Sequence, residues 1–214
     1  MKRTQTNELT TLPTKANKVI SAISTPFVIG LSGLLLSGCS DQSVDTFVAN
    51  SVEDCTTNTG LDFEQCNLAY QDAMEEAQRS APQFFTEQDC EYEFGIGNCF
   101  EDEDRNSFFP LMAGYLIADK LFDRKKKKYK GYYTPVFAYK KPGSRYFNNY
   151  MFANGQNLGS MSKSSYRMNP STLQQKPKFG KTVSRGGFGQ VARQKEALAR
   201  QRAKSSSRSR SWGG

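Results

Sequence analysis

The chain has 214 residues and no histidine. That absence excludes the common Ser-His and Cys-His nucleophile systems and any His-ligated metal centre. Cysteine is scarce, five residues in all, and no two stand at the close spacing of a zinc site. Bases are nearly missing from Cys39 to Arg105, where Arg79 and Arg105 face 17 acids, a net of 2 − 17 = −15. From Asn106 to Gly214 acids are nearly missing instead. There 23 bases face Asp119, Asp123 and Glu196, a net of 23 − 3 = +20. The overall charge of +8 therefore hides two halves of opposite sign. Such asymmetry marks a tail or a partner surface rather than one uniform fold. Aliphatic residues thin out from Tyr129 onward, leaving Gly, Ser, Asn, Tyr and Lys.

What is present begins with an address. Leu36-Ser37-Gly38-Cys39 closes an apolar run from Val19 and has the form of a bacterial lipobox. Small residues beside the scissile bond let the segment thread extended into a peptidase cleft. Lys2, Arg3, Lys15 and Lys18 supply the basic region before it. The run is near the length of a membrane span, so an uncleaved anchor is the alternative; Ser21, Ser24, Thr25 and Ser32 weigh against it. The expectation is a signal peptide over 1–38 and a lipid on Cys39. Ser40 stands where Asp would signal inner-membrane retention, which points to an outer-membrane lipoprotein facing the periplasm.

Cys55, Cys66, Cys90 and Cys99 remain, an even number in an exported chain, and so read as two disulfides with three connectivities. Ser51-Val52-Glu53-Asp54-Cys55 echoes Thr86-Glu87-Gln88-Asp89-Cys90: a hydroxyl cap, an acid three positions on, then Cys. Each is followed by a turn-rich stretch and a second Cys, which favours Cys55–Cys66 and Cys90–Cys99 over crossed pairings. Between them Phe63 to Ser80 reads as a helix with a stripe of Cys66, Tyr70, Ala73, Met74 and Ala77. The other side carries Gln71, Asp72, Glu75, Glu76 and Arg79. A shorter helix over Glu87 to Phe94 ends at Gly95.

Phe108 to Phe122 is apolar, with Pro110 suited to a first helical turn and Gly114 and Ala118 four apart. Arg124-Lys125-Lys126-Lys127-Lys128 follows directly. An apolar helix with a polybasic flank fits a core element, a membrane-surface element or a partner-binding element. Beyond it, one hairpin is expected at Asn154-Gly155. The rest, from Ser160 to Gly214, reads as a disordered basic tail with a nascent helix near Val191 to Ala203. Arg185-Gly186-Gly187-Phe188-Gly189 looks like an RGG box, yet behind a lipobox the polyanions within reach are headgroups, lipopolysaccharide and peptidoglycan, so no nucleic acid is expected.

The expected fold class is thus a small, mostly-α, disulfide-stapled module, a short apolar helix and a long, largely disordered basic tail. Its segments are a tether (39–50), an acidic Cys-stapled module (51–105), an apolar helix (106–123), a Lys/Tyr/Gly-rich stretch (124–159) and the tail (160–214).

The order of these motifs is distinctive: the lipobox, Asp54-Cys55 and Cys66, Arg79-Ser80-Ala81-Pro82, Asp89-Cys90 and Cys99, Phe109-Pro110-Leu111-Met112-Ala113-Gly114-Tyr115, and Ser184 to Gly189. It resembles the YgiB-like family of uncharacterised proteobacterial lipoproteins. The chain departs from that family in its lysine- and tyrosine-rich run after Phe122, where other members look Gly- and Gln-rich. The resemblance implies no activity. It implies a genomic neighbour, an ATP-grasp ligase similar to glutathionylspermidine synthase, and hence an alternative role as an enzyme or accessory subunit in that pathway. The primary expectation is a non-catalytic lipid-anchored binding or assembly module without cofactor. Its partners would be the membrane, through the lipid, and an anionic envelope surface or a protein.

Overall fold

The computed structural model describes residues 43–123, 125 and 128–208. Cys39 and its lipobox lie outside the described residues. Ser40–Gly214 forms one compact unit.

The core is a six-stranded antiparallel sheet, not a helical module. In chain order the elements are β1 (Val44–Ala49), α1 (Val52–Asn58), α2 (Phe63–Ser80), α3 (Glu87–Phe94), β2 (Cys99–Asp102), β3 (Ser107–Pro110), β4 (Gly114–Ile117), a single 3-10 turn (Asp119–Leu121), β5 (Phe122–Asp123), β6 (Lys128–Tyr129), β7 (Thr134–Tyr139), β8 (Asn149–Phe152), β9 (Asn157–Ser160), β10 (Ser165–Met168), α4 (Pro170–Leu173) and α5 (Gly187–Arg208). The main sheet runs β10-β1-β4-β7-β8-β9, and β2-β3 and β5-β6 form two small hairpins. Its outer strands, β9 and β10, are consecutive in sequence and joined by four residues. A flat sheet of six strands would separate its edges by about 24 Å. Five Cα steps from Ser160 to Ser165 reach at most about 18 Å. The sheet must therefore curl into a nearly closed barrel.

The stretch from 39 to 50 is not all tether. β1 alternates burial and sits between β10 and β4, with Val48 opposite Leu116 and Thr46 opposite Tyr166. The expected apolar helix over 106–123 is also overturned. Its residues form β3, β4, the 3-10 turn and β5. All four residues of β4 are buried, so the run shows no alternation, and periodicity cannot tell such a strand from a buried helix. Gly114 is needed here, because a Cβ would stand 2.8 Å from both the Ala49 carbonyl and Val48 Cγ1.

The helices of the acidic half follow the sequence closely. Ser51 and Thr86 accept from the backbone N–H groups of Asp54 and Asp89, and Asp62 and Gln65 close a capping box on α2. α3 stops at Gly95, whose φ is +94°. Cys55 is bonded to Cys66 and Cys90 to Cys99. The first bridge ties α1 to α2 and the second ties α3 to β2.

The tail beyond Ser160 is folded through Arg208, with β10 in the sheet and α5 docked on it. Tyrosine supplies what aliphatic residues do not. Tyr129, Tyr139, Tyr146, Tyr150 and Tyr166 are buried, each a large apolar body with a polar tip that needs an acceptor. Four of those hydroxyls donate to Glu93, Glu196, Asn50 and the Ser160 and Lys163 carbonyls. The hairpin at Asn154-Gly155 joins β8 to β9, with Gly155 at φ +80°. Among the described residues no helix is long and apolar enough to cross a membrane.

Candidate functional site

Three places concentrate polar chemistry. The first is an open cleft of 440 Å³ between the outer face of α2 and the β5-β6 hairpin. Asp72 and Glu75 lie on the α2 wall, Lys128 and Lys176 on the other, and Phe122, Tyr132 and Tyr133 form an aromatic side. The helix period places Asp72 and Glu75 on one face. Glu76, expected on the exposed side of α2, is buried instead and bonded to Arg79, whose guanidinium also donates to the Pro177 carbonyl and sits 4.7 Å over Phe179. Tyr133 stacks on Tyr129 at 4.5 Å, and burial together with the nearby Asp72 carboxylate pushes its hydroxyl up to about 12. The cleft thus presents both signs of charge beside aromatic rings.

The second place is internal. Glu93 is fully buried on α3; its carboxylate accepts from Tyr139 Oη at 2.5 Å and from the Gly189 N–H at 3.2 Å. A carboxylate at the first turn of α5 answers the helix's unpaired N–H groups and its dipole. Burial, followed by the bond to Glu93, raises the Tyr139 hydroxyl well above the usual tyrosine range. This node accounts for the RGG-like motif. Arg185 lies 4.4 Å over the Tyr92 ring, Gly186 takes φ +74°, Phe188 is buried against Phe94, and a Cβ on Gly189 would be driven into the Tyr139 hydroxyl. The motif seats α5 on the barrel. Sequence reasoning missed Glu93, whose partners lie 46 and 96 residues away; no local signal marks it.

The third place is α5 itself. Glu196 holds it to the loop before β8 through Tyr146 and Arg145. Lys195 is half-buried, and burial together with Lys178 and Lys181 lowers its pKa. From Ala197 to Ser205 every residue is exposed, including Leu198, Arg200, Arg202 and Lys204. Among the described residues no group of three or more His, Cys, Asp or Glu side chains is placed to hold a metal ion.

Residues 43–199 match a family described as "Protein of unknown function (DUF1190)". The chain belongs to this family. DUF1190 covers the whole barrel and α5 as far as Ala199. The chain is 31% identical over 209 residues to a UPF0441 protein of Klebsiella pneumoniae, covering 89% of this chain and 91% of that one. A UPF0441 protein of Erwinia tasmaniensis is 30% identical over 206 residues, with the same coverage. One of Yersinia pestis is 27% identical over 212 residues, covering 88% and 90%. These relatives bear out the resemblance to an uncharacterised proteobacterial family. No solved structure matches the DUF1190 chain.

Proposed function

We propose that this chain is a lipid-anchored outer-membrane protein facing the periplasm, acting as a binding or assembly module rather than an enzyme. In this reading Cys39 carries the lipid and α5 is the arm that meets an anionic envelope component or an acidic protein face. The observation that carries it is the exposed end of α5. It leaves the barrel after Glu196 and has cations at Arg200, Arg202 and Lys204 with no acid beyond Glu196. The buried acids support the same reading. Glu93 is engaged in holding α3 to β7 and α5, and Glu76, on the wall of the α2 cleft, is bonded to Arg79. Neither the fold nor the relatives favour the alternative beside an ATP-grasp ligase.

Charge attraction of this kind is screened by salt, over about 8 Å at physiological ionic strength. Purified sacculi and lipopolysaccharide micelles are the probes. Removing residues 197–214 should weaken binding at low salt and flatten its salt dependence. Scrambling 197–214 at fixed composition should leave it unchanged. Equal binding by the truncated and intact proteins would refute the role of α5.

A further inference from the structure

The cleft beside α2 is lined by described residues alone and takes none of them from α5. Its helical wall is a stripe set by the helix period. Gln65, Leu68, Asp72, Glu76 and Arg79 follow one another at steps of three or four residues, with Glu75 beside them. Burial along this stripe is uneven. Glu76 is buried and already held by Arg79, whereas Leu68, Asp72 and Glu75 are exposed. The facing wall is aromatic: Tyr133 stacks on the buried Tyr129 at 4.5 Å, and Phe122 and Tyr132 line the cleft beside them.

Backbone contacts hold the aromatic wall in place. The Tyr132 N–H donates to the Leu173 carbonyl at 2.8 Å. A Cβ on Gly131 would come to 2.9 Å from that carbonyl and 3.0 Å from Tyr129 Cε1. Residues 173–177 therefore run from the aromatic wall to α2, where Arg79 donates to the Pro177 carbonyl. Lys176 stands between these two contacts, so its backbone is fixed at the Arg79 end of the cleft. Lys128 lies on β6, opposite Asp123 in β5. Among the described residues Asp72, Glu75, Lys128 and Lys176 make no ion pair. With Glu76 and Arg79 they give the lining three acids and three bases. The cleft is thus neutral in sum, with unpaired carboxylates on the helix and unpaired ammonium groups on the other wall.

A simple anion or cation gains little from a cleft whose charges cancel, whereas a ligand with one group of each sign meets both sets at once. Asp72 and Arg79 are seven residues apart, about 10 Å along the helix axis. The ammonium and carboxylate of a single α-amino acid share one carbon and cannot span that distance. A lysine side chain followed by one further residue can, at about 3.5 Å for each residue of backbone plus the four-carbon stem. We propose that the α2 cleft binds a zwitterionic peptide end, a lysine-like ammonium followed by a terminal carboxylate. The ammonium lies beside Asp72 and Glu75, the carboxylate is taken by Lys176 and Lys128, and the methylenes pack on Leu68 and Tyr132. The Asp72 carboxylate is close enough to Tyr133 to act on its hydroxyl. An ammonium paired with Asp72 is therefore within reach of the aromatic wall, a second attraction for a cation. The volume of 440 Å³ falls in the range of small-ligand sites, about 300–1,000 Å³. This site depends neither on a lipid at Cys39 nor on the exposed end of α5.

The test is a calorimetric titration of the full-length protein with acetyl-lysyl-alanine, which carries one ammonium and one carboxylate. Two matched probes each lack one charge: acetyl-lysyl-alanine amide has no carboxylate, and acetyl-norleucyl-alanine has no ammonium. The zwitterion should bind with a Kd on the order of 1 mM or tighter. Each one-charge probe should bind about tenfold more weakly, the fold-change for about 1.4 kcal/mol. An Asp72→Asn/Glu75→Gln protein should lose as much affinity for the zwitterion and none for the norleucine probe. A Lys128→Gln/Lys176→Gln protein should lose as much for the zwitterion and none for the amide. All four side chains are exposed, so these changes spare the core. Glu64→Gln, exposed on α2 outside the cleft, should bind like the parent. The three-probe comparison uses the unaltered protein and so stands apart from the folding of any variant. No measurable binding of the zwitterion, equal binding by it and either one-charge probe, or parental affinity in both cleft variants overturns the proposal.

Discussion

Replacing Gly189 with alanine tests the seat of α5 on the barrel. A Cβ at this position is driven into the Tyr139 hydroxyl and comes to 3.4 Å from Glu93 Oε2. Tyr139 cannot retreat, because its ring is fully buried and packed edge-on to Phe94 and beside Phe188. Overpacking costs about 1–3 kcal/mol, and a damaged hydrogen bond to a carboxylate costs about 1.5–3 kcal/mol. Alanine returns about 1 kcal/mol of helix propensity. The net expectation is a loss of about 2–4 kcal/mol, read from urea unfolding curves. Gly187→Ala is the control. Its Cβ meets only the Ser184 hydroxyl at 3.2 Å and Val183 at 3.8 Å, and the former is the end of a small movable side chain. That variant should stay within about 1 kcal/mol of the parent. In a Tyr139→Phe background the obstructing atom is gone, so Gly189→Ala should cost little more than Tyr139→Phe alone. A Gly189→Ala protein as stable as the parent, or one that Tyr139→Phe does not relieve, would refute the reasoning.

Other perturbations follow from the same structure. Non-reducing peptide mapping should return Cys55–Cys66 and Cys90–Cys99, and replacing either pair with serine should cost about 2–4 kcal/mol; a Cys66–Cys90 peptide would contradict the pairing. Gly114→Ala should lower the urea midpoint by an amount equivalent to about 1–3 kcal/mol, because it wedges β4 away from β1. Stability should also fall in alkali. Burial pushes Tyr166 and Tyr133 up to about 12 and also raises Tyr115, Tyr139 and Tyr150. The folded chain keeps these protons while the unfolded chain releases them near pH 10. The stabilisation is therefore complete below about pH 10 and is lost as pH climbs towards 12. A urea midpoint that stays flat across that window would contradict the buried-tyrosine core.

The acidic half was readable because its determinants are local. Ser51, Asp62, Thr86 and Gly95 cap helices within four residues of themselves. Each Cys pairs across 11 or 9 residues. The hairpin at Asn154-Gly155 was readable for the same reason. The barrel was not, because its pairings are distant in sequence. β1 meets β10 across some 120 residues, as Thr46 does with Tyr166. Short strands such as β4, buried on all positions, carry no alternation to betray them. Counting aliphatic residues made the C-terminal half look too polar to fold. Its core is built from Tyr139, Tyr150, Tyr166 and Phe188, and the hydroxyls of the three tyrosines have acceptors in the fold. The cleft beside α2 shows the same limit: its walls come from residues 65–79, 122–133 and 176, which only the fold brings together.

The most direct test of the account is the intact mass of the protein recovered from the membrane fraction. The account predicts a chain that begins at Cys39 and carries a diacylglyceryl group on that sulfur, and a Cys39→Ala protein that is neither processed nor retained in the same way. A mass matching an unmodified chain, or a Cys39→Ala protein that processes and fractionates like the parent, would contradict it.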